Sequence, residues 1–181
     1  MKSYIMVMLM LIAFSLALAC KSQKDENPVR TVDHVDLQRY LGTWYQQAFY
    51  PTRFQKADCG EVVTADYSLD DKGNIRVVNT CYEDAGATVV KSQANAKAWA
   101  VDDTNSKLKV QFFWPFRGDY WIVKLDQENY SYTVVSDPKR EYLWILSRDM
   151  AIDQSVYQEI LDWLDDNGWD MDRLVFTGKL K

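Results

Sequence analysis

From residue 43 onward the chain runs in short segments of alternating apolar and polar side chains, each ended by a cluster of turn residues. A period of two over four to eight residues is the signature of a half-buried strand. Eight such runs follow one another: Thr43–Tyr50, Glu61–Leu69, Asn74–Tyr82, Thr88–Val101, Lys107–Phe113, Asp119–Leu125, Tyr130–Ser136 and Tyr142–Arg148. Between them fall Asp70-Asp71-Lys72-Gly73, Glu83-Asp84-Ala85-Gly86, Asp102–Ser106, Pro115–Gly118, Asp126–Asn129 and Asp137-Pro138-Lys139-Arg140, residues that make tight hairpin turns. Eight antiparallel strands joined by short hairpins predict an all-β, up-and-down barrel, whose closure removes exposed edges. A barrel of that size has an interior wide enough for one small ligand.

After Arg148 the period changes. Asp153 is placed to cap a helix, and Val156, Ile160, Trp163 and Leu164 recur at helical spacing until Asn167-Gly168 stops it. The helix is expected to pack outside the barrel, with Arg173–Lys179 as a short final strand. The 181 residues suit one domain, and the 14% aromatic content favours strands. A net charge of −5 argues against nucleic acid, which needs clustered Lys and Arg.

The first 19 residues have a different character. Lys2 gives a positive start, and Ile5 to Leu18 is almost purely apolar but too short for a comfortable membrane span. Leu16-Ala17-Leu18-Ala19-Cys20 resembles a bacterial lipobox, with Ala17 where a bulkier residue is usual. That reading makes 1–19 a lipoprotein signal peptide and Cys20 the acylated first residue of the mature chain. Residues 20–35 then form a polar tether, and 36–181 form the barrel domain. Lys21 after the Cys implies sorting to the outer membrane of a bacterial envelope. The alternative is an ordinary secretory signal cut near Ala19.

Three cysteines in an exported chain leave one over. With Cys20 taking lipid, Cys59 and Cys81 remain for a disulfide on adjacent strands, which an oxidising envelope favours; two free thiols is the alternative. The single His34 lies in the tether, so no metal site is expected, and no cofactor is implied.

Three segments resemble one family, the lipocalins, across roughly residues 36–178. They are Gly42-Thr43-Trp44-Tyr45 after Tyr40-Leu41, then Gly118-Asp119-Tyr120-Trp121-Ile122-Val123 with Asp126 and Tyr130, then Tyr142-Leu143-Trp144-Ile145-Leu146-Ser147-Arg148. Within the family, the chain looks like the bacterial outer-membrane lipoprotein branch. The resemblance implies that Gly42, Trp44 and Arg148 are structural: Trp44 plugs the closed end, Arg148 lies across its indole, and Gly42 lets the chain enter the first strand. The rival reading has Trp44 and Arg148 binding ligand.

Anchored on an inward Trp44 and Arg148, alternation assigns the faces. Gln46 and Ala48 point in from the first run, Val63, Ala65, Tyr67 and Leu69 from the second, and Ile75, Val77 and Asn79 from the third. Ala94, Ala96, Ala98 and Ala100 share one face of the fourth run and leave space that larger residues would fill. Val110, Phe112, Tyr120, Ile122, Thr133, Tyr142, Trp144 and Leu146 complete the inner face. The candidate ligand-binding residues are drawn from this lining, in which Gln46, Asn79, Thr133 and the hydroxyls of Tyr67, Tyr120 and Tyr142 supply the few polar atoms. Phe112 to Phe116 forms an aromatic run at the end of the fifth strand, a greasy lip or a loop packed on its own barrel. Arg53 stands in the first long loop.

Such a lining suits a fatty acid or lysophospholipid held for storage or transport, without catalysis. No Gly-x-Ser-x-Gly or Cys–His pair is present, and the acidic residues fall mainly in turns and on outward faces. The alternatives are an isomerase-type enzyme on the same barrel and an envelope structural or interaction protein with a filled interior. The expected partners are the small hydrophobic ligand and the membrane through the lipid anchor, with a homodimer through the aromatic rim as a further option.

Overall fold

The computed structural model describes residues 28–55, 59–71 and 73–181. The expected signal peptide and Cys20 lie outside the described residues. A short helix, α1 (Leu37–Tyr40), leads into eight strands. They are β1 (Gly42–Phe49), β2 (Val62–Leu69), β3 (Ile75–Tyr82), β4 (Val90–Ala100), β5 (Lys107–Gln111), β6 (Gly118–Leu125), β7 (Tyr132–Ser136) and β8 (Leu143–Ser147). Each pairs antiparallel with the next, and β8 pairs back onto β1, so the sheet closes. The expected up-and-down barrel is the observed one.

Strand direction distinguishes the two ends. β1 starts beside α1, so the turns β2–β3, β4–β5 and β6–β7 lie at the α1 end with it. The connections β1–β2, β3–β4, β5–β6 and β7–β8 ring the other end. The chain is packed closed at the first end. Asp36 caps α1 by accepting from the N–H groups of Gln38 and Arg39, and Val35, fully buried, joins Tyr40 and Trp44 in the core beneath the strands. The expected tether is shorter than residues 20–35. Residues 28–35 are tied to the barrel, because Val32 N–H donates to Ile122 O (3.0 Å), Val35 N–H donates to Thr104 O (2.8 Å), and Val29 and Val35 are buried. Their three valines supply apolar surface that a solvated tether would waste.

The helix α2 (Gln154–Asp166) starts after Asp153 and ends at Asn167, with Gly168 at φ +77°. Its Ile160 and Leu164 are fully buried against Val134, Leu143 and Ile145 on the outer barrel wall, forming a second core outside the sheet. The expected strand Arg173–Lys179 is broken into a 3₁₀ turn (Met171–Arg173), β10 (Val175–Phe176) and β11 (Lys179–Leu180). β10 extends the sheet along the end of β1, while β11 pairs in parallel with β9 (Ala151–Ile152). The break falls at Gly178, where a Cβ would collide with the Gln47 side chain. The seventh strand begins later than its alternation predicts, because Tyr130 takes a left-handed conformation (φ +55°) that ends the pairing.

Cys59 and Cys81 are joined, with Cα atoms 5.8 Å apart. The bond staples the long β1–β2 connection to the end of β3. Closing a loop across a sequence separation of 22 is worth about 3 kcal/mol.

Candidate functional site

The closed end is built on Trp44, which is 0% exposed. Its Nε1–H donates to Tyr40 O (2.9 Å), and the Arg148 guanidinium lies 3.8 Å from its ring centroid. Arg148 also donates to Thr43 O (3.0 Å), Arg39 O (2.6 Å) and Tyr130 O (3.3 Å), which joins β1, α1 and the β6–β7 turn. Gly42, at φ +96°, is held close under this guanidinium: a Cβ there would stand 3.3 Å from Arg148 Nη1. With the indole fully covered, Trp44 offers no surface to a ligand.

Above this plug stand three tyrosines from three elements. The Tyr120 hydroxyl bridges Tyr40 (2.8 Å) and Tyr67 (2.9 Å). Burial pushes the Tyr40 phenol up to about 12, and it pushes Tyr67 and Tyr120 up as well. All three are therefore neutral at any physiological pH, and each hydroxyl finds a partner inside an otherwise apolar layer. Ile122 and Thr133 point inward but have no accessible surface. Thr133 donates to Lys124 O (3.1 Å). Both residues are thus part of the packed floor and not of a chamber wall.

Toward the open end the inner face changes. Register places Ala65, Asn79 and Ala94 side by side on β2, β3 and β4, and Val77 beside Ala96. The Ala face predicted for β4 points inward as expected, and Ala96 and Ala98 pack in the inner core. Ala65, Asn79, Val110, Tyr120 and Trp144 face inward yet keep accessible surface, and Ala94 is exposed. These inward side chains are not fully covered by neighbouring protein. Val63, opposite Cys81, continues the wall toward the mouth. Tyr142 stacks on Trp144 with centroids 6.0 Å apart. Phe112 lies beyond the end of β5 and is exposed at the rim.

Strict alternation from Trp44 predicts an inward Ala48, and the structure turns it outward. The β1–β8 register slips between Gln46 and Ala48, so the extra residue Gln47 inverts the faces beyond it. Ala48 joins the core under α2, and Phe49 pairs with Trp144 on the inner face. Gln47 is fully buried on the outside, where its amide donates to Ser147 Oγ (2.7 Å) and the carbonyls of Asp149 and Met150.

One residue of the chamber was not marked in the sequence. Gln55, in the β1–β2 connection, donates to Gln46 Oε1 (2.7 Å) and accepts from Trp144 Nε1 (3.2 Å). Gln46 in turn donates to Thr177 Oγ1 (3.1 Å). This places a polar cluster near the mouth, opposite the tyrosines of the floor, with apolar wall between. A loop glutamine carries no periodic signal, so nothing in the sequence distinguishes it. A separate open cleft of about 570 Å³ is lined by Gly60, Glu61, Glu83, Lys91 and Thr177. It is largely polar and lacks the apolar wall that would hold an acyl chain. Among the described residues no three His, Cys, Asp or Glu converge into a metal-binding group.

A family model described as a lipocalin-like domain matches residues 35–179. The chain is 40% identical over 164 residues to the outer membrane lipoprotein Blc of Escherichia coli K12, covering 90% of this chain and 89% of that protein. It is 28% identical to apolipoprotein D of Bos taurus, covering 82% and 79%. Among solved structures, insecticyanin of the tobacco hornworm Manduca sexta superposes with a TM-score of 0.60 at 18% identity, covering 82% of each chain.

Proposed function

Since the chain belongs to the lipocalin family, we propose that it is a lipid carrier of the bacterial envelope. It is held at the outer membrane through an acylated Cys20 and takes one fatty acid or lysophospholipid into the open half of its barrel, for storage or transport of membrane lipids. The observation that carries this reading is that Ala65, Ala94, Val110 and Trp144, on the inner face above the tyrosines, keep accessible surface. An acyl chain there gains about 0.8 kcal/mol for each methylene it withdraws from water. Its headgroup meets Gln46 and Gln55 near the mouth, the few polar groups that orient a ligand in an apolar pocket. The anchor is supported by Cys20 directly after an apolar leader and by the printed name of the Escherichia coli relative, an outer membrane lipoprotein. The protein holds and releases its ligand and does not transform it.

Titration with a fluorescent fatty acid tests this. Saturable binding at one site per chain, displaced by lysophospholipid, is the expected result, with the ligand recovered chemically unchanged. Absence of saturable binding rejects the carrier reading.

A further inference from the structure

The open end carries a set of apolar side chains that neither the chamber nor the outer core uses. Phe54 of the β1–β2 connection is 65% exposed, and in the β5–β6 connection Phe113, Trp114 and Phe116 are 58%, 83% and 69% exposed. Val89 and Val90 add exposed surface where β4 begins. Three of the four connections around the mouth therefore present apolar tips to water. With 150–250 Å² per aromatic ring, the four aromatics alone expose roughly 500 Å². Isolated apolar residues on a surface need no explanation, but a group of this size around one opening does.

We propose that this rim is a membrane-docking surface, which presses the mouth of the barrel against a lipid bilayer so that the chamber opens into the acyl region. This goes beyond the carrier reading and depends on it only for its consequence, the route of lipid entry. Two observations favour a lipid surface over a second copy of the chain. The first is shape: the apolar surface is divided among separate tips around a hole. A fluid surface accepts separate tips, whereas a rigid partner must match them. The second is charge. Between positions 51 and 55 and between 112 and 118, the stretches that carry the four aromatics, the only charged residues are Arg53 and Arg117, while Glu83 and Asp84 fall in the β3–β4 connection. Arg53 lies 4.7 Å from the centre of the Phe54 ring, and Arg117 lies 5.4 Å from that of Trp99. Aromatic tips with neighbouring cations match the boundary between acyl chains and anionic headgroups, where Trp is enriched.

The test uses the mature exported protein with whatever N-terminal modification the cell gives it. An environment-sensitive fluorophore is attached at Trp114→Cys, at Phe116→Cys, which keeps Trp114, and at Glu128→Cys in the β6–β7 turn of the closed end. The oxidised Cys59–Cys81 pair is not labelled. On adding vesicles of phosphatidylethanolamine with phosphatidylglycerol, the two rim labels are expected to shift to shorter wavelength and to be quenched by a lipid-borne quencher, while the Glu128→Cys label stays in water. Rim labels that remain in water, or a closed-end label that responds equally, overturn the proposal. So does a shift that needs no vesicles and grows with protein concentration, since that assigns the rim to a second copy. Phe113→Ser with Phe116→Ser should slow uptake of a fluorescent fatty acid from vesicles at least tenfold while leaving its vesicle-free affinity unchanged. Failure of vesicle-free binding in the unaltered protein would count against the carrier reading alone, because the label response does not depend on it.

Discussion

The guanidinium of Arg148 lies 3.8 Å from the centre of the Trp44 indole and hydrogen-bonds three carbonyls, on Arg39, Thr43 and Tyr130. A residue at the end of β8 thus fastens α1, the start of β1 and the β6–β7 turn at the closed end of the barrel. Hydrogen bonds to a charged group are each worth more than neutral ones, and the stacking on Trp44 adds about 0.5–2 kcal/mol.

Arg148→Ala is therefore expected to cost about 3 kcal/mol, read as a lower urea midpoint with an unchanged slope. Arg148→Lys should recover less than half, because an ammonium lacks the planar fork that reaches three carbonyls at once. Ligand affinity measured well below the unfolding midpoint should change little, since Trp44 offers no surface to the chamber. A large loss of affinity with stability intact would instead make Arg148 a ligand contact.

The tyrosine floor gives a pH dependence. Unfolded phenols ionise near 10, whereas in the fold burial raises Tyr40 to about 12 and raises Tyr67 and Tyr120 as well. Above pH 10 the unfolded chain gives up protons that the folded chain keeps, so stability falls as pH rises. Each retained proton removes about 1.4 kcal/mol per pH step of one. Urea midpoints at about pH 9 and about pH 11 should show the drop, and Tyr120→Phe should reduce it. Equal midpoints in the unaltered protein would show that the phenols ionise freely.

Ala65→Phe places a ring on the inner face beside Asn79 and Ala94. Fatty-acid affinity should fall at least tenfold, about 1.4 kcal/mol or more. The added ring should cost no more than about 1–3 kcal/mol of stability, the usual penalty of a larger side chain beside a packed core. Unchanged affinity would locate the ligand elsewhere.

Replacing both cysteines, Cys59→Ser with Cys81→Ser, should lower stability by about 3 kcal/mol through the longer free loop of the unfolded chain. Reduction of the unaltered protein should produce the same shift in midpoint. An unaltered midpoint after reduction would show that the β1–β2 connection is held by its other contacts.

The strands and the plug were legible because each rests on a local, repeated signal. Alternation marks the buried face of every strand, and the Gly42–Trp44 and Arg148 segments mark the closed end. The inner face was legible wherever the ladder runs unbroken, as across Ala65, Asn79 and Ala94. It failed at Ala48, one residue past the slip at Gln47. The register also slips between Ile122 and Lys124, so that Lys124 turns outward toward Trp163 and Leu125 joins the inner core. A one-residue slip flips every later side chain to the other face, and nothing in the local pattern announces it.

The sequence by itself determined the number of barrel strands, their order, the helix after them and the run of small residues on the inner face of β4, because each of these follows from side-chain size and period along one stretch of chain. Only the tertiary structure decided which inward residues become floor and which become wall, where Gln55 would rest, and that residues 28–35 belong to the fold. Those outcomes depend on contacts between segments far apart in the chain, such as Val32 with Ile122 and Gln55 with Trp144. Their free energy exists only once the barrel has closed.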